Sequence, residues 1–508
     1  MKFSLETIAA QLPFILRSAR LDARNLTAEI APGSMAGGAG GWSPLAAGDR
    51  WGEQGRTYLI RVPFEVPEAW TGDKVVLHAQ LGEYADLSGP EALAYLDGRP
   101  LQGIDERHRE VRLDRHVTPG TRHEIVFEAY SSLMGRPNTL VALELLLLDE
   151  EAEDLYHDLR VLGAAVLTMP ESSVARTRLA RVLERAYRSL DLRVPGSEAF
   201  SASVRTARDI LGEAFEGPER PDGPCTVAVG HAHIDLAWLW PVAQTRRKGA
   251  RTFSTVLRLM EQYPEYHFVA SQPALYAMVR EDEPELYEQL TERVREGRWE
   301  PTGAAWVEMD CNLTGSEALV RQFLYGKRYF RDELGVDPKI LWLPDVFGYS
   351  AALPQVLKGC DVDYFMTTKI SWNEYNRLPY DTFRWRGIDG TEVLTHMVTA
   401  PNVPEEILDP NMPSIYTYNG KFEPFDLTGN WEAYRQKAVN DELLYLFGWG
   451  DGGGGPTAGM QETAARLKHL DGFGRVEQSS AEAFFQRLDE RVWNDPDLPR
   501  WSGELYLE

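Results

Sequence analysis

The sequence predicts an α/β domain with a mostly parallel sheet flanked by helices, preceded by an antiparallel β-sandwich and a helical segment. Three observations predict it. Short alternating apolar runs crowd the first third of the chain. Apolar residues then recur at three- and four-residue intervals. After residue 225, brief wholly apolar runs alternate with long amphipathic stretches. Period-two, period-3.6 and strand–helix alternation are the signatures of those three architectures. The 508 residues exceed what one ordinary core supports, so several domains are expected.

The boundaries follow the texture. Residues 1–150 form a β-sandwich with a leading helix. "MKFSLETIAAQLPFILRSAR" is amphipathic; Glu6, Gln11 and Pro13 interrupt it, unlike a signal peptide. A Gly-rich loop, "PGSMAGGAGGW", follows. "TYLIRVPFEV", "KVVLHAQL", "ALAYLDGRPL", "HEIVFEAY" and "LVALELLLL" are the expected strands, punctuated by Gly, Pro and Asp. The last is too short to span a bilayer and holds Glu144. Residues 151–223 are a helical connector, as in "VARTRLARVLERAYRSL", ending in the linker-like "EGPERPDGPC". Residues 224–490 are the α/β domain, with strands "TVAVG", "YHFVAS", "KILWLPD", "DYFMTT" and "LLYLFGWGD". Residues 491–508 are assigned to the start of a following domain.

Net charge is −24. Such a surface repels phosphate backbones and anionic membranes, so neither nucleic acid nor membrane is an expected partner. Cys225, Cys311 and Cys360 are odd in number and widely spaced, which argues against a disulfide framework or a cysteine-based zinc site. A cytoplasmic protein is expected.

Function in open parallel sheets gathers past the carboxyl ends of strands. There the sequence places His231, His233 and Asp235, then Trp238 and Trp240; Asp345 and Phe347; Lys369, Trp372 and Asn373; and Asp451 before four glycines. Each alone has an ordinary reading. His-x-Asp can be a hydrogen-bonded turn, Asp345 can cap a helix, and the tryptophans can be core. The glycine run can be a flexible loop, and it lacks the ending of a P-loop. His396 in "VLTHM" reads as a satisfied strand histidine. The coincidence of four strand ends carries the functional reading. His and carboxylate together suit Zn²⁺. Residues i and i+2 on an extended exit point the same way, and paired carboxylates beside aromatic rings suit glycoside hydrolysis.

The blocks "GHAHIDLAWLWP", "GAAWVEMDCNLTGSEALVRQ", "LWLPDVFGYSAALPQVLKGC", "TTKISWNEYNRLPYDTFRWRGIDGTEVLTHM" and "FGWGDGGGGPT" resemble, in order, those of glycoside hydrolase family 38. These are retaining, zinc-dependent α-mannosidases, and the likeness is greatest to the cytosolic and vacuolar branch and its bacterial relatives. The resemblance spans roughly residues 225–508. It implies one Zn²⁺ held by His233, Asp235 and Asp345, with Asp345 also the nucleophile. It implies Asp451 as acid/base, although this chain has Gly452 where other branches have a second aspartate. It implies Trp238 and Phe347 as walls of the mannose pocket, and Lys369, Trp372, Asn373, Glu308, Asp310 and Asn312 as substrate contacts. The substrate implied is a terminal α-mannose of an oligosaccharide. The family has a further zinc-binding histidine after a block like "SGELYLE", where this chain stops, and further domains beyond. The chain is therefore expected to be an amino-terminal piece that binds metal weakly and has little activity alone. A role for the first 220 residues in homo-oligomer assembly is a further expectation. Two other readings stay open: a different zinc hydrolase of the amidohydrolase kind, or a non-catalytic carbohydrate-binding or oligomerisation module.

Overall fold

The computed structural model describes residues 2–507 except 71–73, 85–88, 114, 134–136, 216–222, 374 and 403–414. Most of the expected linker after residue 215 lies outside the described residues. The chain packs as two units: Met1–Glu216 with Ala237–Arg258, and Gly217–Leu236 with Leu259–Glu508.

In the first unit the expected sandwich is present. One antiparallel sheet carries Thr57–Glu65 paired with Arg122–Tyr130, which in turn pairs with Glu91–Leu96. The other carries Ala142–Leu148 between Arg20–Asn25 and Lys74–Gln80. Their inner faces share one core that includes Ile60, Val62 and Phe127 from the first sheet and Leu77, Ala79 and Leu145 from the second. Alternation of buried and exposed side chains along Thr57–Glu65 explains why these runs were legible. Two more strands, Arg20–Asn25 and Ala28–Ser34, lie where helix and loop alone are expected. Arg20–Asn25 is nearly all exposed, so it carries no apolar signal. Ala28–Ser34 contains Pro32 and Gly33, which argue against a strand in sequence.

The connector forms three helices, Glu150–Thr168, Val174–Arg188 and Glu198–Phe215. Asp149 and Ser173 cap the first two through hydrogen bonds from the backbone of Ala152 and Arg176. The stretch Ala237–Arg258 packs with this unit. Within it the helix Val242–Gln262 places Lys248 2.5 Å from Glu91, with Arg251 on the same carboxylate. Both cations are nearly buried, and a carboxylate between them offsets the cost of taking them from water.

The second unit is built on two five-stranded sheets. The first runs Trp299–Pro301, Phe268–Ala270, Cys225–His231, Glu442–Phe447, all parallel, and Arg475–Gln478 also pairs with Cys225–His231. Every residue of Cys225–His231 and of Glu442–Phe447 is buried, as expected for parallel strands covered on both faces. The second sheet runs Ile340–Trp342, Tyr364–Thr367, Glu392–Met397, Thr382–Arg386, Arg500–Ser502; only the Thr382–Arg386/Glu392–Met397 hairpin is antiparallel. Its core holds Leu341, Phe365, Phe383 and Trp385. Residues near the end of the chain pair into this unit: Arg500–Ser502 extends the second sheet, and Leu505–Tyr506 pairs with Gly348–Tyr349. Among the described residues no helix is long and apolar enough to cross a membrane.

His396 lies inside the second sheet, 1% exposed. Its Nδ1 meets Thr382 Oγ1 at 2.9 Å and its ring packs on Phe484. Burial holds its pKa at about 3, against about 6.5 in an unfolded chain. The fold thus keeps this ring neutral, while the unfolded chain takes up a proton below pH 6.5. Its contribution is present above that pH and is lost as pH falls. In urea unfolding, the stability advantage of the wild type over His396→Gln is expected to shrink by about 2 kcal/mol between pH 7.5 and 5. An advantage that does not change with pH would count against it.

Candidate active site and metal cluster

Residues that follow several of the strands lie close together. The chain leaves Cys225–His231 with its two histidines on different errands. His231 turns inward: Trp342 Nε1 donates to its Nε2 at 3.1 Å, and burial lowers its pKa to about 3. His233 faces the cluster. Its Nδ1 lies 2.7 Å from Glu308 Oε2, its Nε2 3.4 Å from Asp235 Oδ1 and 4.0 Å from Asp345 Oδ2. Burial works to lower its pKa, but Glu308 and Asp235 raise it well above the usual value.

Asp345 follows Ile340–Trp342. Its Oδ1 pairs with Lys369 Nζ at 2.8 Å. Lys369 in turn lies 4.9 Å from the Phe347 ring centre and 4.2 Å from that of Trp372, so one ammonium sits between two half-exposed aromatic faces. The Trp372 indole is held by the Tyr416 carbonyl at 2.9 Å.

Asp451 follows Glu442–Phe447. Tyr418 donates to its Oδ1 at 2.7 Å, and Asn419 Nδ2 lies 3.5 Å from its Oδ2. Burial, and less strongly the nearby carboxylates of Asp345 and Asp235, raise its pKa; Tyr418 and His233 oppose this. Burial, with the charges of Asp451 and Asp345 nearby, pushes the Tyr418 pKa far up, so it remains a neutral donor.

The loop that presents Asp451 is largely backbone. Asp451 has φ 53°, a left-handed conformation that Asp tolerates better than most residues. A Cβ on Gly448 would lie 2.2 Å from the His231 carbonyl oxygen, and one on Gly450 2.6 Å from Asn419 Oδ1 and 2.7 Å from the Tyr418 ring. Gly450 N also donates to Asn419 Oδ1 at 2.8 Å. Chain and ring pass too close here for any side chain.

Ligand atoms of His233, Asp235 and Asp451 all lie within 4.8 Å of one another, with Asp345 alongside. Three carboxylates and an imidazole nitrogen converge, and Lys369 engages only one of them directly. A divalent cation would relieve their repulsion, and nitrogen with carboxylate oxygen is a donor set that fits zinc. A second such group among the described residues, Cys225, Glu442 and Glu477, is already filled: the Arg487 guanidinium meets Glu442 at 2.7 Å and Glu477 at 3.0 Å.

The remaining residues singled out in sequence lie as follows. Glu308 is beneath His233, its side chain only 3% exposed. Asp310 Oδ1 accepts from the backbone of Asn312 and Leu313, and Asn373 Oδ1 from that of Tyr375 and Asn376; both hold turns. The Asn312 amide lies against Gly348. Trp238, half exposed, meets Trp240 edge-on at 6.0 Å, and Trp240 is held by Thr245 Oγ1 at 3.1 Å and by Lys248 over its ring. Four residues escaped sequence reading: Tyr418, Asn419, Ser271 and Gln272. "YTYNG" looks like a turn, and Tyr418 meets its partner only 33 residues later.

The strand ends bring carboxylates, an imidazole and aromatic rings together, which are the groups that glycoside hydrolysis uses. Comparison with known proteins agrees. Residues 225–504 match the glycosyl hydrolases family 38 N-terminal domain, and residues 20–144 match the alpha-mannosidase jelly roll domain. The chain belongs to glycosyl hydrolase family 38. It is 33% identical to alpha-mannosidase G of Dictyostelium discoideum, over 91% of this chain and 41% of that protein. It is 34% identical to alpha-mannosidase 2C1 of Homo sapiens, over 92% of this chain and 44% of that protein. An alpha-mannosidase crystal structure from Enterococcus faecalis V583 superposes with a TM-score of 0.45 at 19% identity, over 56% of this chain and 31% of that one. The chain thus spans about two fifths of the length of the curated relatives it matches.

Proposed function

We propose that this chain carries the mannose-cleaving site of a cytoplasmic, retaining α-mannosidase, active in a polypeptide of its relatives' length. The observation that supports it most is that two strands deliver Asp345 and Asp451 to one place: Asp451 accepts from Tyr418 at 2.7 Å, and Asp345 is near enough to act on the charge of both. Retaining hydrolysis needs carboxyl groups about 5–5.5 Å apart, and inversion needs more room for a water.

Asp345 is the nucleophile. Lys369 fixes one oxygen and leaves the other facing the cluster. That oxygen bonds the anomeric carbon as the glycosidic bond breaks. Asp451 gives its proton to the leaving oxygen, then takes one from the water that frees the sugar. Burial keeps its carboxyl protonated to higher pH than an ordinary aspartate. Phe347 and Trp372 offer apolar faces to the ring. His233, Asp235 and Asp345 would hold zinc. Bound zinc would supply a Lewis-acid grip on the adjacent 2- and 3-hydroxyls of mannose.

The test is hydrolysis of 4-nitrophenyl α-D-mannoside followed by proton NMR of the first sugar released. α-Mannose appearing first is expected. β-Mannose first would overturn the retaining assignment, and cleavage of other aryl glycosides but not this one would overturn the substrate.

A further inference from the structure

A ligating histidine has two nitrogens, and something must decide which one faces the metal. Here Nδ1 of His233 lies 2.7 Å from Glu308 Oε2. A carboxylate oxygen only accepts, so Nδ1 donates, and Nε2 is the nitrogen left for the cluster. The pair is sealed from water: the His233 and Glu308 side chains are 6% and 3% exposed.

Glu308 is itself fixed at both ends. Ser271 donates to its Oε1 at 2.5 Å. Gln272 Oε1 accepts from the Glu308 backbone N–H at 3.2 Å, while Gln272 Nε2 donates to the Ile234 carbonyl at 2.8 Å. Ile234 stands between His233 and Asp235. One buried glutamine therefore ties the peptide between two metal-facing residues to the peptide that bears Glu308. Gln272 does this from φ 63°, a strained conformation for a non-glycine residue, at 2% exposure. Strain of this kind persists where the surroundings over-determine it. Three strands converge on one ring: Cys225–His231 leads to His233, Phe268–Ala270 to Ser271 and Gln272, and Trp299–Pro301 to Glu308.

A glutamate that touched substrate would need an open face. This one has spent both oxygens on protein partners. A carboxylate kept only for packing would be poorly chosen, because burying it costs more than an apolar side chain of the same volume. Orientation of an imidazole is what a buried acceptor does and an apolar group cannot do.

We propose that Glu308 is a positioning residue for the metal cluster: it holds the His233 ring with Nε2 toward Asp235 and Asp451, and Ser271 and Gln272 hold Glu308. This rests on the metal reading given under Proposed function. The experiment is Co²⁺ titration of the chain within a polypeptide of its relatives' length, read by the visible band of bound cobalt, with Zn²⁺ affinity by competition. Glu308→Leu is expected to weaken both metals about 10–100-fold and to change the shape of the cobalt band. Glu308→Gln keeps an acceptor oxygen, so its loss is smaller and the band keeps its shape. Ser271→Ala frees the carboxylate to turn and weakens binding several-fold. Circular dichroism establishes that each variant is folded. A folded Glu308→Leu chain binding within about twofold of the wild type, with an unchanged band, would overturn the proposal. Should that variant not fold, wild-type binding by both Glu308→Gln and Ser271→Ala overturns it instead. A wild-type chain that binds neither metal, or binds as well after Asp235→Asn, would overturn the metal reading itself and the role of Glu308 with it.

Discussion

Asp345→Asn is expected to remove turnover of an aryl α-mannoside, by on the order of 10⁴-fold in kcat or more. The amide has the volume of the carboxylate but cannot attack the anomeric carbon, so the burst of aryl alcohol in the first turnover should vanish too. The substitution also removes the negative charge that Lys369 pairs with at 2.8 Å, while the ammonium keeps its cation–π contacts with Phe347 and Trp372. Binding of a mannose-type inhibitor measured beside kcat separates the two effects. Retained binding with lost turnover is the nucleophile's signature. Turnover within about tenfold of the wild type would place the nucleophile elsewhere.

The second large effect is at Asp451, and it depends on the leaving group. Asp451→Asn suits the left-handed backbone at this position, since Asn is among the few residues at ease there. With a mannobiose, whose leaving alkoxide needs a proton, kcat/KM is expected to fall about 10²–10⁴-fold. With 2,4-dinitrophenyl α-mannoside, whose phenolate leaves unaided, bond cleavage should be little affected and release of the enzyme-bound sugar should become slow. Azide, which needs no general base, should then restore turnover. The pH profile supplies an independent check. Burial raises the Asp451 carboxyl above its ordinary range, so in the wild type the protonated acid survives to higher pH and activity declines only as that proton is lost. In the variant this basic limb disappears. Equal losses for both substrates would argue that Asp451 does not deliver the proton.

How much of this was legible depended on where the information sat. The fully buried strands Cys225–His231 and Glu442–Phe447 announce themselves because a sheet covered on both faces takes mostly apolar residues. Asp345 and Asp451 were visible as charges directly after such runs. The strand Arg20–Asn25 was not: it is exposed, and its hydrogen bonds to Ala142–Leu148 leave no mark on composition. Within the site, sequence names side chains but not their directions. His231 and His233 are equivalent in the text, yet one accepts from Trp342 in the core and the other faces the carboxylates. Glu308 was in view, but its direction toward His233 depends on Ser271 and Gln272, which come from another strand. Tyr418 escaped because a hydroxyl 33 residues from its partner has no local signature at all.

The backbone-built loop around Asp451 bears on how such a site can drift. Gly448 and Gly450 have no spare volume, so ancestors and descendants that keep the acid must keep these two glycines, and a random library at those two positions would return almost nothing but the parent. Exploration is confined to residues that can change size without moving Asp451. The half-exposed rings of Phe347 and Trp372 are of that kind. New leaving-group preferences would then be acquired around the rim while the acid stays where it is, and the loop would be the slowest-changing stretch of the site.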